Sequence, residues 1–319
     1  MGNLFGRSST RFLVVTLIPN VLFALFLATL LAAGAPSHVP SLATAVQVLR
    51  DVGVREAAVL FFLVLVAAVA LHPVQYPMIQ LLEGYWDSVP GGARLSEWAT
   101  LRHAARWEQL RAVVANTVPE DRATFRALAS ASVRLRWLPS DERMLLPTSL
   151  GNTLRAGEER AGRRYGLRIG VIMPRLGPLL QPQVRRQLED RRNQLDAAAR
   201  LCAVSLLATV AGVALLLPTG RWLLIPASTF AFAWACYRAA CAAAAGFCTD
   251  LAAAVDLHHR DLWTALALRP PRDLREEQRR AATLGEHLDG GDLSPEQVRE
   301  IVWQDPPLPP LFGPLPPPP

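Results

Sequence analysis

The sequence predicts an all-α membrane protein with four transmembrane helices and a mainly helical cytoplasmic insert between the second and third helices. Its 319 residues are 51% apolar, and the apolar residues are concentrated in four runs of roughly membrane-spanning length. Between the second and third runs, apolar residues recur at helical spacing within polar sequence. The predicted segments are a cytoplasmic N-terminus (1–11), spans at 12–33, 57–79, 201–217 and 222–238, an Arg-rich cytoplasmic domain (88–200), a cytoplasmic helical region (239–303) and a Pro-rich disordered tail (304–319).

The first apolar run is interpreted as a retained membrane anchor. The alternative is a cleaved signal peptide, because Arg7 and Arg11 precede the run and Ala33–Ala35 resembles a cleavage site. The apolar core of such peptides is roughly 7–15 residues long, and this run is longer, which favours the anchor.

The third and fourth spans are separated by the four residues Pro218–Arg221 only, which predicts an antiparallel helical hairpin. Trp222, Tyr237 and Arg238 are placed where a membrane protein carries interfacial anchors. Beyond the membrane the fourth helix is predicted to continue, with one face formed by Phe247, Leu251, Ala254, Val255, His258 and Leu262.

One helix of the 88–200 domain is predicted by a stripe of residues at steps of three and four: Leu150, Leu154, Gly157, Ala161 and Tyr165. Gly157 lies in the middle of this stripe, where a larger side chain would be expected, and therefore predicts a close contact between helices. Gly166 predicts the end of the helix, because glycine readily adopts the left-handed conformation.

A second stripe predicts a helix that continues into the third span: Val184, Leu188, Leu195, Ala199 and Cys202. Between the two helices, Leu167–Met173 is either a short strand or an interfacial segment, since periodicity alone does not separate them. Earlier in the domain, Thr117 and Glu120 match a capping box and predict a helix start.

The basic residues are all arginine, and the 33 arginines leave a net charge of +6. This charge indicates attraction to anionic lipid headgroups or to nucleic acid; the predicted spans and the lack of a nucleic-acid-binding motif favour lipid and disfavour nucleic acid. Arg163 and Arg164 are candidate contacts for an acidic partner. The four cysteines have no C-x-x-C spacing and are interpreted as small apolar fillers.

No catalytic, cofactor-binding or metal-binding motif is present: the metalloprotease, P-loop, nucleophile-elbow and dinucleotide patterns are all missing from the sequence. The strongest local constellation is Asp256, His258, His259 and Asp261. His258 lies three residues from Asp261, which would allow an ion pair or a metal site, but a packing histidine with a hydrogen-bond partner is the favoured interpretation. We therefore expect a protein that is not an enzyme and has no cofactor.

Several short motifs carry a resemblance over roughly residues 72–266: Leu82–Trp86, Leu146–Thr148, Leu150–Ala156, Tyr165–Leu167, Pro174–Leu176, Asn193–Asp196, Asp256–Leu257 and Asp261–Leu262. With these motifs the sequence resembles a family of uncharacterised bacterial, chiefly actinobacterial-type, multi-pass integral membrane proteins. The resemblance implies a membrane protein with a cytoplasmic insert, and it carries no activity.

The leading functional hypothesis is a membrane-anchored scaffold or interaction protein that presents the Arg-rich domain. The alternative is a small transporter or channel component, which is disfavoured because no charged residue lies deep in a predicted span. The expected location is the bacterial plasma membrane, with both termini cytoplasmic. The expected partners are the bilayer, anionic headgroups and an unidentified protein, and self-association is left open.

Overall fold

The computed structural model describes residues 18–297, apart from positions 36, 38, 52, 71, 293 and 295. Over these residues the protein is helical and contains no β-strand, which confirms the all-α class. The predicted N-terminal segment 1–11, the first residues of the first span and the tail 304–319 lie outside the described residues.

The α-helices of the described residues are α1 (Ile18–Ala32), α2 (Leu42–Asp51), α3 (Val54–Ala70), α4 (His72–Glu83), α5 (Gly92–Asn116), α6 (Arg122–Leu135), α7 (Ser149–Arg163), α8 (Ile169–Leu176), α9 (Pro182–Leu216), α10 (Leu224–Ala265) and α11 (Leu274–Leu288). Short 3₁₀ segments occupy Trp86–Ser88, Glu142–Met144, Gly177–Leu179 and Leu217–Leu223.

The chain divides into two compact units that are not contiguous in sequence. The first unit comprises Met1–Leu154 and Asp190–Gly246, and the second comprises Arg155–Glu189 and Phe247–Pro319. The predicted 88–200 domain is therefore divided: its central residues belong with the C-terminal part of the chain, and its two ends belong with the apolar helices.

In the first unit, α9 and α10 form an antiparallel hairpin, as the sequence predicts. Gly220, in the connecting 3₁₀ segment, interrupts the helical path with φ 58° and ψ −81°. The hydroxyls of Thr209 and Thr229 lie 2.9 Å apart, and a Cβ on Gly212 would lie 3.3 Å from Pro226. Residue numbers increase along α9 from Thr209 to Gly212, while those of their partners on α10 decrease from Thr229 to Pro226. The two helices therefore pack antiparallel.

Helix α1 packs beside α9 in a parallel direction. Phe23, near the beginning of α1, clusters with Val204 of α9. Leu30, further along α1, clusters with Leu216 at the end of α9. The contacts advance in the same direction on both helices.

Helix α3 runs antiparallel to α1. The Asn20 side-chain amide, near the beginning of α1, donates to the carbonyl oxygen of Ala68, near the end of α3, over 2.9 Å. Asn20 is buried, so this bond satisfies a polar group that would be costly to bury unpaired.

The helices of the described residues do not support the four predicted spans. One segment among the described residues is long and apolar enough to cross a membrane, Pro182–Ala265, which contains the α9–α10 hairpin. Within the described residues, α1 covers 15 residues and α3 covers 17. The second predicted span, 57–79, includes parts of α3 and α4, and position 71 between them lies outside the described residues.

The helix predicted to begin at Thr117 begins a few residues later. Asp121 is the N-cap of α6: its carboxylate accepts from the Thr124 backbone N–H at 2.7 Å, and the Thr124 hydroxyl accepts from the Asp121 N–H at 3.1 Å. The capping box is therefore present in a different register, because Asp121 and Thr124 offer the same reciprocal bonds. The hydrogen bonds that the Thr124 backbone N–H and hydroxyl donate to this carboxylate lower the pKa of Asp121.

The second unit has its own apolar core. Trp263, Leu262 and Leu268 from the end of α10 and the following turn are fully buried, together with Leu176 of α8 and Leu284 of α11. The segment for which a strand or an interfacial segment was predicted, Leu167–Met173, is instead largely part of α8. Ile169, Ile172 and Leu176 lie on one face of this helix and are buried in the core. In a strand, alternate residues would face opposite sides instead.

Candidate functional site

The candidate site lies in the second unit, around the inward face of α11. Asp273 begins this helix, since its carboxylate accepts from the Glu276 N–H at 2.8 Å. One helical face then buries Glu277, Arg280, Ala281 and Leu284. Two of these four residues are charged, so the site is a polar cluster within an apolar core.

Glu277 is 4% exposed and is the centre of the cluster. Its Oε1 lies 2.6 Å from His259 Nδ1 and accepts from the Trp263 indole N–H at 3.3 Å. A buried carboxylate must be hydrogen-bonded to be tolerated, and these two ring nitrogens supply the bonds. With Nδ1 engaged, the His259 ring has only Nε2 left for another partner.

Tyr165, just after α7, fixes the other side of His259. The two rings stack with centroids 3.9 Å apart and an interplanar angle of 20°. The Tyr165 hydroxyl donates to Asp256 Oδ1 at 2.8 Å. Burial, followed by the hydrogen bond and charge of Asp256, raises the pKa of Tyr165 to about 12.

Arg280 is the second buried charge of the cluster, at 3% exposed. Its guanidinium carbon lies 5.0 Å from the Trp263 ring centroid, which is cation–π distance. Its nearest carboxylate oxygen belongs to Glu276, 3.6 Å away. Its Nε and Nη2 have no hydrogen-bond partner.

A cleft of about 230 Å³ opens beside the cluster. It is lined by charged, aromatic and turn residues: Arg164, Tyr165, His259, Arg260, Pro271, Asp273, Leu274 and Glu277. His259 and two arginines thus line the same cleft beside the cluster.

The wall of the cleft that carries Arg164 is held against α11. The Gln278 side-chain amide donates to the Arg164 carbonyl oxygen at 2.9 Å. Gly166 has φ 71°, and a Cβ there would lie 2.7 Å from the Gln278 carbonyl oxygen. The left-handed turn predicted at Gly166 is therefore present, and it allows the backbone to approach α11 closely.

The site residues predicted from sequence have different positions. Gly157 lies at a close contact between helices, since a Cβ there would collide with Cβ and Sγ of Cys248. Arg163 is exposed and pairs with Glu159 one turn earlier. Of these candidates Arg164 lines the cleft, as does His259 of the Asp256–Asp261 constellation.

His258 and Asp261 are in contact, as their spacing indicates. His258 Nδ1 lies 2.8 Å from Asp261 Oδ2, and the His258 side chain is buried whereas that of Asp261 is exposed. Among the described residues no group of three or more His, Cys, Asp or Glu side chains is arranged to hold a metal ion.

Sequence analysis did not identify Glu277, Arg280 or Trp263 as site residues, and it included His259 only as a neighbour of His258. The signal was weak, because a charged residue on an amphipathic helix is ordinarily solvated. Comparison with protein-family models, with curated proteins and with solved structures found no match.

Proposed function

We propose that the protein is a membrane-anchored interaction protein, in which the first unit supplies the anchor and the second unit the binding surface. The observation that carries the proposal is the exposure of α3. This helix is almost entirely apolar after Glu56 and buries only Val64 and Ala68, while Phe61 and Phe62 are exposed. Exposed apolar surface of this extent is typical of contact with lipid or another protein.

The α9–α10 hairpin supports the same proposal. The most apolar stretch of Pro182–Ala265 is 39% buried, whereas the core helix of a soluble protein is mostly buried. Phe230, Phe232 and Trp234 are among its exposed side chains. The second unit exposes much less apolar surface than the first. Among its described residues, the exposed large apolar side chains are Leu257 and Leu274.

The proposed topology has four spans formed by α1, by α3 with α4, by residues 201–216 of α9 and by residues 224–238 of α10. Helix α1 is antiparallel to α3 and parallel to α9, and α9 is antiparallel to α10, which is the alternation that four successive crossings require. Both termini and the 88–200 segment are cytoplasmic, because the outer connections then contain only Arg50, Arg55 and Arg221. The proposed location is the bacterial plasma membrane.

The proposed partners are anionic headgroups and an acidic protein surface, since the basic residues lie mainly on the cytoplasmic side in this topology. Transport is disfavoured: the buried polar side chains of the first unit, among the described residues, are uncharged. Membership of the actinobacterial-type membrane protein family is part of the same proposal.

Cysteine accessibility in intact cells tests the topology. Ser41→Cys and Ser140→Cys are introduced separately after the four native cysteines are replaced by alanine. An impermeant thiol reagent is expected to label position 41 in intact cells and position 140 only after lysis. Labelling of position 140 in intact cells, with position 41 protected, contradicts the topology.

Solute flux tests the choice between an interaction protein and a transporter. The purified full chain in liposomes is expected to add no solute permeability. Flux that disappears on replacement of the buried Asn20 would favour the transporter instead.

A further inference from the structure

The cleft of the second unit is lined by two arginines and a histidine, and we propose that it binds a phosphate-class oxyanion between Arg164 and Arg260. This inference deepens the proposed function and rests on it in one respect: it takes the second unit as the binding part and names its ligand class. The ligand is the phosphate group of a phosphomonoester, carried by either a lipid headgroup or a soluble compound.

The two arginines are the charged residues of the cleft whose side chains can bind a ligand. Arg164 and Arg260 line the cleft, their residues are exposed, and neither forms an ion pair with a described residue. Arg164 lies 6.0 Å from the Tyr165 ring centroid, which holds its guanidinium beside the cleft. A guanidinium presents paired N–H donors that match the oxygens of phosphate.

The two carboxylates of the cleft are already engaged. Asp273 accepts the Glu276 N–H as the N-cap of α11. Glu277 is bound by His259 and Trp263. Neither acid is paired with Arg164 or Arg260, so the guanidinium N–H groups of these arginines remain available to a ligand.

His259 supplies a third contact. Its Nδ1 lies against Glu277 and its ring is fixed by the stack on Tyr165, so Nε2 is the nitrogen available to a ligand. This nitrogen can hydrogen-bond to a phosphate oxygen or to a phosphate hydroxyl. A phosphomonoester offers three terminal oxygens for two guanidinium groups and one imidazole, whereas a carboxylate offers two.

The size of the cleft agrees with a compact group. Its volume of about 230 Å³ is below the range of roughly 300–1,000 Å³ that is typical of sites for drug-sized molecules. The phosphate group is expected to enter the cleft, while the remainder of the ligand stays outside.

Binding is measured by isothermal titration calorimetry on the full chain in phosphatidylcholine nanodiscs. The soluble probes are inorganic phosphate and glycerol 3-phosphate. A second preparation, with phosphatidic acid in the nanodisc, tests whether lipid headgroups compete with glycerol 3-phosphate. The variants are Arg164→Gln and Arg260→Gln, and the matched control is Arg163→Gln, which removes the same charge one position from Arg164 and outside the cleft.

The expected result is saturable binding of glycerol 3-phosphate by the wild-type chain and by Arg163→Gln, with affinity reduced by about tenfold or more in each cleft variant. Loss of the glycerol 3-phosphate signal in phosphatidic acid nanodiscs identifies a lipid source, and an unchanged signal identifies a soluble one. No binding of any probe, or equal losses in all three variants, overturns the inference. Cysteine labelling at positions 41 and 140 is independent of this result, so the two proposals fail separately.

Discussion

Tyr165 and His259 stack in a nearly parallel arrangement, with ring centroids 3.9 Å apart. Each ring is also bonded to a carboxylate: the Tyr165 hydroxyl donates to Asp256, and His259 Nδ1 contacts Glu277. The stack therefore links the end of α7 to α10 and, through Glu277, to α11. The contribution of these residues can be measured through the stability of the protein, its dependence on pH, and ligand binding.

Tyr165 is expected to make the folded protein less stable at high pH. Its pKa is about 12 in the folded protein and about 10 in an unfolded chain. Because the folded state holds this proton more tightly, its contribution to stability is complete below pH 10 and is lost as the pH rises towards 12. Denaturant unfolding between pH 8 and 12 in detergent measures the fall.

The Tyr165→Phe variant is the control for this titration. It removes the hydroxyl that titrates but retains a ring for the His259 stack. The part of the stability loss above pH 10 that belongs to Tyr165 should disappear in this variant. An identical pH dependence in both proteins would show that the Tyr165 proton is not held more tightly in the folded state.

Glu277→Ala is expected to destabilise the second unit. The substitution leaves the ring N–H groups of Trp263 and His259 without their acceptor, and an unsatisfied buried donor costs about 1–3 kcal/mol. Glu286→Ala on the exposed side of α11 is the matched control and should change the free energy of unfolding little. Equal losses in the two variants would mean that the Glu277 bonds are not formed.

Gly157→Ala is expected to destabilise the protein by about 1–3 kcal/mol. The new Cβ would collide with the Cβ and Sγ of Cys248, so the two helix segments would have to move apart. The double variant Gly157→Ala with Cys248→Gly removes both colliding atoms and should recover part of the loss. Tolerance of Gly157→Ala alone, at unchanged melting temperature, would place Cys248 further away.

Gly166→Ala is expected to destabilise through the backbone. At φ 71° a side chain is strained, and the Cβ would also lie 2.7 Å from the Gln278 carbonyl oxygen; a strained residue costs about 1–3 kcal/mol. Gly170→Ala is the control, because a Cβ there meets no atom within 4 Å. In thermal unfolding, the Gly166→Ala variant should have a clearly lower melting temperature than the Gly170→Ala variant.

Much of the helical packing follows from residue spacing alone. The stripe through Gly157 predicts the close contact because a small residue in an apolar face allows another helix to approach. The stripe through Leu251 and Leu262 likewise predicts which face of α10 is buried, and with it the burial of His258. Such stripes are informative because every member faces the same core.

The polar cluster could not be predicted in the same way. The buried residues of α11 include Glu277 and Arg280, so a periodicity that counts only apolar residues does not identify its whole inward face. His259 lies 18 residues before Glu277, and the turn that brings them together has no distinctive motif. For α8 the apolar run is too short for periodicity to separate a helix from a strand.

The exposure of two residues to lipid and to water tests the membrane proposal most directly. Phe61 of α3 and Leu257 of α10 are each 71% exposed, but only Phe61 belongs to a proposed span. Spin labels are attached at Phe61→Cys and Leu257→Cys in a cysteine-free full chain, and their collisions with oxygen and with a water-soluble nickel complex are compared in nanodiscs. Oxygen collisions should predominate at position 61 and nickel collisions at position 257, whereas predominance of nickel at both positions would contradict the proposal that the first unit is a membrane anchor.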